Sequence, residues 1–183
     1  MNHPQDPSQP IEPFLKKVLA SLDLQLQTGS SAQPQYPSVE AYATQFAKQL
    51  KPASAIVING NPLIPLPPTQ DARLEFQKQW LLLPASNHQM TSFDTHLVPG
   101  TGLYTIIAHG KVRFDESGRL RLGETADLVQ LPAQKARALW GPWFGFNLSL
   151  IVDQAAATND EIESINTWNY RVTYKPHDSV VAL

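Results

Sequence analysis

The chain contains no cysteine. That excludes disulfides, thiolate-bound metals and a cysteine nucleophile, and it fits a reducing compartment. There is no surplus of one charge either. Fourteen Lys+Arg against 16 Asp+Glu leave a net charge of -2, so composition gives no reason to expect wholesale binding to nucleic acid or to an anionic membrane. No apolar run approaches the roughly 20 residues that span a bilayer, and no membrane insertion is expected. Met1–Pro10 has neither the basic nor the apolar region of a secretory signal. A Walker loop, G-x-G-x-x-G, H-E-x-x-H and G-x-S-x-G are all missing, and no two histidines have metal spacing on one helix. Neither a metal nor a cofactor is expected.

What is present is a chain of 183 residues, 42% hydrophobic, long enough to bury a core as one domain. Residues 1–10 are polar, with three prolines, and read as a disordered tail; residues 11–183 read as a single domain. The organising stretch is Leu139–Asp153. From Phe144 its large apolar side chains fall on every second position, Phe144, Phe146, Leu148, Leu150 and Val152, which is the period of a strand with one buried face. Leu103–Glu116 alternates in the same way. Tyr104, Ile106, Ala108, Gly110, Val112 and Phe114 lie on one side, with Thr105, Ile107, His109, Lys111, Arg113 and Asp115 on the other. In Ile162–Tyr174 the alternation puts Trp168, Tyr170 and Val172 with Ile162, and Thr167, Asn169 and Arg171 with Ile165.

The first half reads as helical. Pro13 suits a first helical turn, and Phe14, Leu15, Val18, Leu19, Leu22 and Leu26 follow at helical spacing, ending near Gly29. A second helix is expected from an N-cap at Ser38 through Ala41, Tyr42, Phe46 and Leu50, closed by Pro52. A strand at Ser54–Asn59 turns at Asn59-Gly60 into a return strand at Leu63–Leu66. A third helix starts at Thr69, buries Leu74, Phe76, Trp80, Leu81 and Leu83, and ends at Pro84; a strand follows at Met90–Val98. Helices first and strands after imply α+β, with three helices covering one face of a curved antiparallel sheet. Residues 117–138 have no period and read as a long loop, a feature often tied to function.

Two surfaces could carry function. On the outward sheet face Ile107, His109, Lys111, Arg113, Ile165, Thr167, Asn169 and Arg171 mix donors with apolar groups, a composition that suits contact with a protein better than a substrate site. The plain alternative is a solvated sheet face. On the loop, Arg119, Arg121, Lys135 and Arg137 outnumber Glu124 and Asp127, which suits RNA phosphates; the alternative is a merely soluble loop. Asp94 and His96 form the one pair with a general-base look, set against the ordinary reading of two solvated polar side chains.

Three blocks carry a resemblance: Lys111–Arg119 (KVRFDESGR), Leu139–Gly145 (LWGPWFG) and Tyr174–Ser179 (YKPHDS). They resemble the fungal mRNA transport regulators, small subunits of the fungal mRNA export receptor within the nuclear transport factor 2-like superfamily. The resemblance implies a cone, a strongly bent sheet wrapped on helices. It implies a heterodimer with the large receptor subunit through the exposed sheet face, with Arg171 of the Tyr170-Arg171 pair facing the partner. It further implies contact with phenylalanine–glycine repeat nucleoporins, directly or through the partner. The 117–138 loop would serve RNA or the large ribosomal subunit. The expected place is the nucleus and nuclear pore, with shuttling to the cytoplasm, and no catalysis. Two alternatives from the same superfamily are a small-molecule isomerase or dehydratase, using Asp94 and His96 inside its cavity, and a homodimeric import carrier.

Overall fold

Helix α1 (Glu12–Leu22) carries Pro13 in its first turn and buries Phe14, Leu15, Val18, Leu19 and Leu22 along one stripe. It stops at Leu22, short of the expected end near Gly29. The tertiary structure ends it: the Leu22 carbonyl accepts from Trp80 Nε1 at 3.2 Å and from Arg121 Nε at 3.3 Å, and the Asp23 side chain is held by β-sheet residues. The computed structural model describes residues 9–23, 41, 44–67, 70–118, 120–121 and 138–179. The expected second helix falls partly outside them. Where it is described, Ala41, Thr44 and Gln45 are helical, Phe46 to Gln49 form a turn, and Leu50 already begins a strand.

That strand, β1 (Leu50–Ile58), continues straight through Pro52. Its pairing shifts register between Leu50 and Ala55, and in such an irregularity the missing N–H of a proline removes no ladder bond. Asn59 and Gly60 both have positive φ, 51° and 85°, the two-residue hairpin turn expected of Asn-Gly. The return strand β2 is only Asn61–Pro62 rather than Leu63–Leu66, leaving Ile64 and Leu66 exposed. Helix α2 (Ala72–Leu81) is capped by Asp71, whose carboxylate accepts the Leu74 N–H at 2.9 Å; Thr69, the expected cap, lies outside the described residues. α2 buries Phe76, Trp80 and Leu81. Two α-helices thus lie wholly within the described residues, and Ala41, Thr44 and Gln45 are the described helical residues of the expected third.

The strands β3 (Ser86–Val98), β4 (Leu103–Phe114), β5 (Phe144–Asp153) and β6 (Ile165–Tyr174) complete one six-stranded sheet of order β2-β1-β6-β5-β4-β3. Every neighbouring pair is antiparallel except β1 with β6, which run parallel, so the sheet is mixed. Register shifts in β3 near Thr91 and between β5 and β6 bend it. Its inner face follows the period-two reading: Phe144, Phe146, Leu148, Leu150 and Val152 are buried, as are Tyr104, Ile106, Ala108, Val112 and Phe114. These side chains meet α1 and α2 in one core. Gly110 is needed at its position because a Cβ there would overlap the Gln89 carbonyl and the Phe146 ring. Aromatic side chains link the layers: Phe146 stacks on Tyr170 at 5.7 Å, and Trp80 meets Tyr170 edge-on at 5.5 Å.

The stem of the 117–138 stretch is built of backbone bonds. Glu116 N–H donates to the Leu139 carbonyl at 2.7 Å, and Gly141 N–H to the Phe114 carbonyl at 2.9 Å. The buried Asp115 carboxylate accepts Leu139 N–H at 2.8 Å and Ser117 N–H at 3.0 Å. Residues 119 and 122–137 lie outside the described residues.

Candidate partner interface

β4, β5 and β6 hold their alternate side chains on the outer face of the sheet. Ile107, His109 and Lys111 project from β4, and Ile107 is 39% exposed although it is aliphatic. His109 Nδ1 lies 3.1 Å from Asn147 Nδ2 on β5. Thr167 and Asn169 on β6 are half-buried, and Arg171 is exposed. Asn147 pairs with both His109 and Arg171 across the strands, so these three form one row. Arg171 Nε donates to Asn169 Oδ1 at 3.3 Å, and among the described residues no carboxylate lies within ion-pair reach of it. Beside it a pocket of about 290 Å³ is lined by Asn59, Gly60, Arg171, Val172 and Lys175.

Two of the expected interface residues behave differently. Ile165 is 1% exposed and belongs to the core. The pairing runs Ile151 to Thr167 and Val152 to Ile165, so Asn166 is an extra residue in β6. One extra residue reverses the parity of everything before it, and Ile165 turns inward while Thr167 stays out. The bulge is fixed by Asn166 itself. Its amide donates to Asp153 Oδ1 at 2.8 Å and its carbonyl oxygen accepts from Lys51 Nζ at 2.9 Å, while Lys51 pairs with Asp153 at 2.6 Å. Burial works against the Asp153 charge, but bonds from Lys51 and Asn166 outweigh it and hold the carboxyl below its ordinary value.

Arg113 is the other. It does not project freely as the neighbouring Lys111 does. Its guanidinium carbon lies 4.9 Å from the Trp140 ring centre and 4.8 Å from that of Trp143. Gly141-Pro142 separates those two tryptophans in the chain. Each such contact contributes about 0.5–2 kcal/mol.

The loop cations fare differently again. Arg119, Lys135 and Arg137 lie outside the described residues. Arg121 is 1% exposed, so the expectation that it meets RNA or a ribosome is corrected. Its donors reach the carbonyls of Leu22, Trp80 and Leu83 and the Ser86 hydroxyl, and its guanidinium lies 5.1 Å from the Trp80 ring centre. Leu22 and Trp80 are at the C-terminal ends of α1 and α2, where the free carbonyls and the helix dipoles favour a cation.

Asp94 and His96 are 3.1 Å apart, but their side chains are 70% and 72% exposed on the outer strand β3. They lie in no cavity of the cone, so the catalytic role weighed for them has no support. Sequence reasoning passed over a different cluster. His88, in the stretch between the expected helix end at Pro84 and the expected strand start at Met90, sits on β3 with its side chain fully buried. Its Nδ1 lies 2.5 Å from Asp23 Oδ1 and its Nε2 lies 3.0 Å from the Tyr170 hydroxyl. Burial raises the Tyr170 pKa, helped by the Asp23 charge. Ser86 and the His88 N–H also bond Asp23, at 2.9 and 2.8 Å. The sequence held a faint signal, the polar Ser86-Asn87-His88 at the start of an otherwise sheet-forming run, but no local cue to its partners.

Comparison with known proteins gives a consistent result. The family model described as "Nuclear pore RNA shuttling protein Mtr2" matches residues 5–183. The "mRNA transport regulator MTR2" of Candida albicans is 51% identical over 182 residues, 97% of this chain and 98% of that protein. The crystal structure of the C. albicans Mtr2–Mex67 M domain complex contains a chain 53% identical, with a TM-score of 0.80, covering 95% of this chain and 100% of that one. A nuclear transport factor 2-like superfamily protein from Salmonella enterica, 9% identical, covers 96% of this chain and 97% of its own with a TM-score of 0.50, a likeness of fold alone.

Proposed function

The chain belongs to the Mtr2 family of nuclear pore RNA shuttling proteins, and from that premise we propose that it is the small, non-catalytic subunit of a heterodimeric mRNA export receptor. Its outer sheet face, centred on β4, β5 and β6, packs against the like-folded domain of the large subunit. The observation that carries this reading is the presence on one sheet face of an exposed aliphatic, Ile107, and an exposed arginine, Arg171, that has no carboxylate in reach among the described residues. A guanidinium on a face destined for burial needs a partner carboxylate, and here that partner must come from another chain. The C. albicans relative, 53% identical, is in complex with the Mex67 M domain, which supports a large-subunit partner.

In this role the protein shuttles between nucleus and cytoplasm through the pore. The heterodimer engages phenylalanine–glycine repeats, on this chain or on the large subunit. The 117–138 loop, through Arg119, Lys135 and Arg137, contacts RNA or the large ribosomal subunit as cargo. Co-expression with the large subunit's middle domain tests the core of the proposal. A one-to-one complex by light scattering is expected. A stable homodimer that ignores that domain would instead favour a homodimeric import carrier.

A further inference from the structure

We propose that Arg113, clamped between Trp140 and Trp143, is a preformed docking point for a single carboxylate on the large-subunit partner, separate from the one that meets Arg171. The inference rests on the heterodimer reading and adds a second, distant charge contact to it.

The geometry leaves Arg113 only one use for its remaining donors. The guanidinium carbon lies within 5 Å of two indole ring centres, at 4.9 and 4.8 Å. Its Nε is buried and has no hydrogen-bond partner. Among the described residues Arg113 has no ion pair. What stays open is the in-plane edge of the fork, which matches a carboxylate with two parallel bonds. Because the tryptophans already fix the side chain, little rotamer freedom is lost when the edge is used. The described acids next to it in the chain are engaged elsewhere, Asp115 by the Leu139 and Ser117 N–H groups and Glu116 by the Ser179 hydroxyl.

The surroundings favour an acidic occupant. Lys111 stands two residues away on the same face, exposed. The outward acids lie toward the other end: Asp94 pairs with Ile107 in the ladder, and Asp153 with Leu103, and Asp153 is already engaged by Lys51. At this end of the sheet the described acids, Asp115 and Glu116, are turned to backbone and hydroxyl donors, which leaves Lys111 and Arg113 without an ion pair among the described residues, on the face that also holds Arg171. Arg171 lies two strands over and four residues along from Arg113 in the ladder. With strands about 4.8 Å apart and about 3.4 Å of rise per residue, the two positions are roughly 17 Å apart. A partner that satisfies both presents two acids at about that spacing.

Calorimetry with the full chain and the large subunit's middle domain tests this. Arg113→Gln, close in size but uncharged, and Arg113→Lys, which keeps the charge and loses the fork, should each weaken association by tenfold or more. A double-mutant cycle then pairs Arg113→Gln with each Asp→Asn and Glu→Gln change on the partner domain. One acid should couple to Arg113 by about tenfold or more and not to Arg171→Gln; coupling of this kind is insensitive to how much either variant is destabilised. Affinity unchanged in both Arg113 variants, or no coupled acid, overturns the inference while leaving the heterodimer intact. Failure of the unaltered chain to bind the domain overturns the heterodimer reading itself. If Arg113→Gln spares partner affinity and instead abolishes binding of a single-stranded RNA oligonucleotide, the stack serves nucleic acid and the proposal is wrong.

Discussion

Arg121 Nε donates to the carbonyl of Leu22, 99 positions earlier in the chain, at 3.3 Å. The same guanidinium reaches the Trp80 carbonyl at 3.0 Å, so one side chain from the base of the long loop closes the C-terminal ends of both α-helices. The burial of this cation is tolerated because its charge is spread over carbonyls, a hydroxyl and the Trp80 ring.

Removing that side chain should be costly. Arg121→Met would remove the charged donor shared by the Leu22, Trp80 and Leu83 carbonyls and the Ser86 hydroxyl, leaving Leu22 only its bonds from Trp80 and Ser86 and Trp80 only the Leu83 N–H; hydrogen bonds to a charged group contribute about 1.5–3 kcal/mol each. A loss of about 2–4 kcal/mol in urea unfolding is expected, with Arg121→Lys recovering only part of it. A change under about 0.5 kcal/mol would show that the guanidinium is not needed to close the helices.

The inner face of β5 is the centre of the core, and Leu148 is fully buried there. Leu148→Ala should cost about 2–5 kcal/mol as a cavity mutation. Chemical denaturation of the isolated chain is the measurement, and a substantially smaller loss would mean that the helices close over the gap.

Arg171 tests the interface. Arg171→Ala should weaken the heterodimer by about 2–5 kcal/mol, much of it from the partner acid left unpaired. Arg171→Glu should weaken it further. Neither change should unfold the isolated chain, because Arg171 is exposed there. Titration calorimetry beside a melting curve separates the two effects; equal affinities would move the contact off this face.

A modest acid sensitivity is expected where α1 meets the segment before β6. Lys17 bonds Asp160 at 2.9 Å and also Glu161, which Lys48 reaches as well. The bond from Lys17, then that from Lys48, holds the Glu161 carboxyl below its ordinary value of 4.5. A carboxyl whose pKa is lowered by folding stabilises the native state above the unfolded value, and that stabilisation is lost as pH falls through the lowered one. The side chains are 40% and 44% exposed, so the effect should stay within about 1 kcal/mol. Glu161→Gln should be slightly less stable than the unaltered chain at about pH 7 and equal to it at about pH 2, once both carboxyl forms are neutral. A difference that persists in acid would point to packing rather than charge.

How much of this was legible depended on the range of the cause. The buried faces of β4 and β5 follow from alternation alone, because a strand's side chains change sides at every residue whatever surrounds it. The Asn59-Gly60 turn was legible for the same reason, since two adjacent positive φ values are a local demand. The family blocks, and with them the fold and the export role, also lie in contiguous sequence.

Ile165 was placed on the wrong face because a bulge is invisible to a period: Asn166 is taken out of register by Lys51 and Asp153, which are 115 and 13 residues away. Arg121 looked like a loop cation and His88 like a helix-end polar residue because their partners lie far off in the chain, Leu22 for one and Tyr170 for the other. Arg113 looked like its neighbour Lys111 until Trp140 and Trp143 closed over it. The sequence by itself determined that β4, β5 and β6 form, which sides of β4 and β5 are buried and which family the chain resembles, all of them short-range properties. Only the tertiary structure decided what each charged side chain is for, because a charge is defined by the groups that surround it, and those come from every part of the fold.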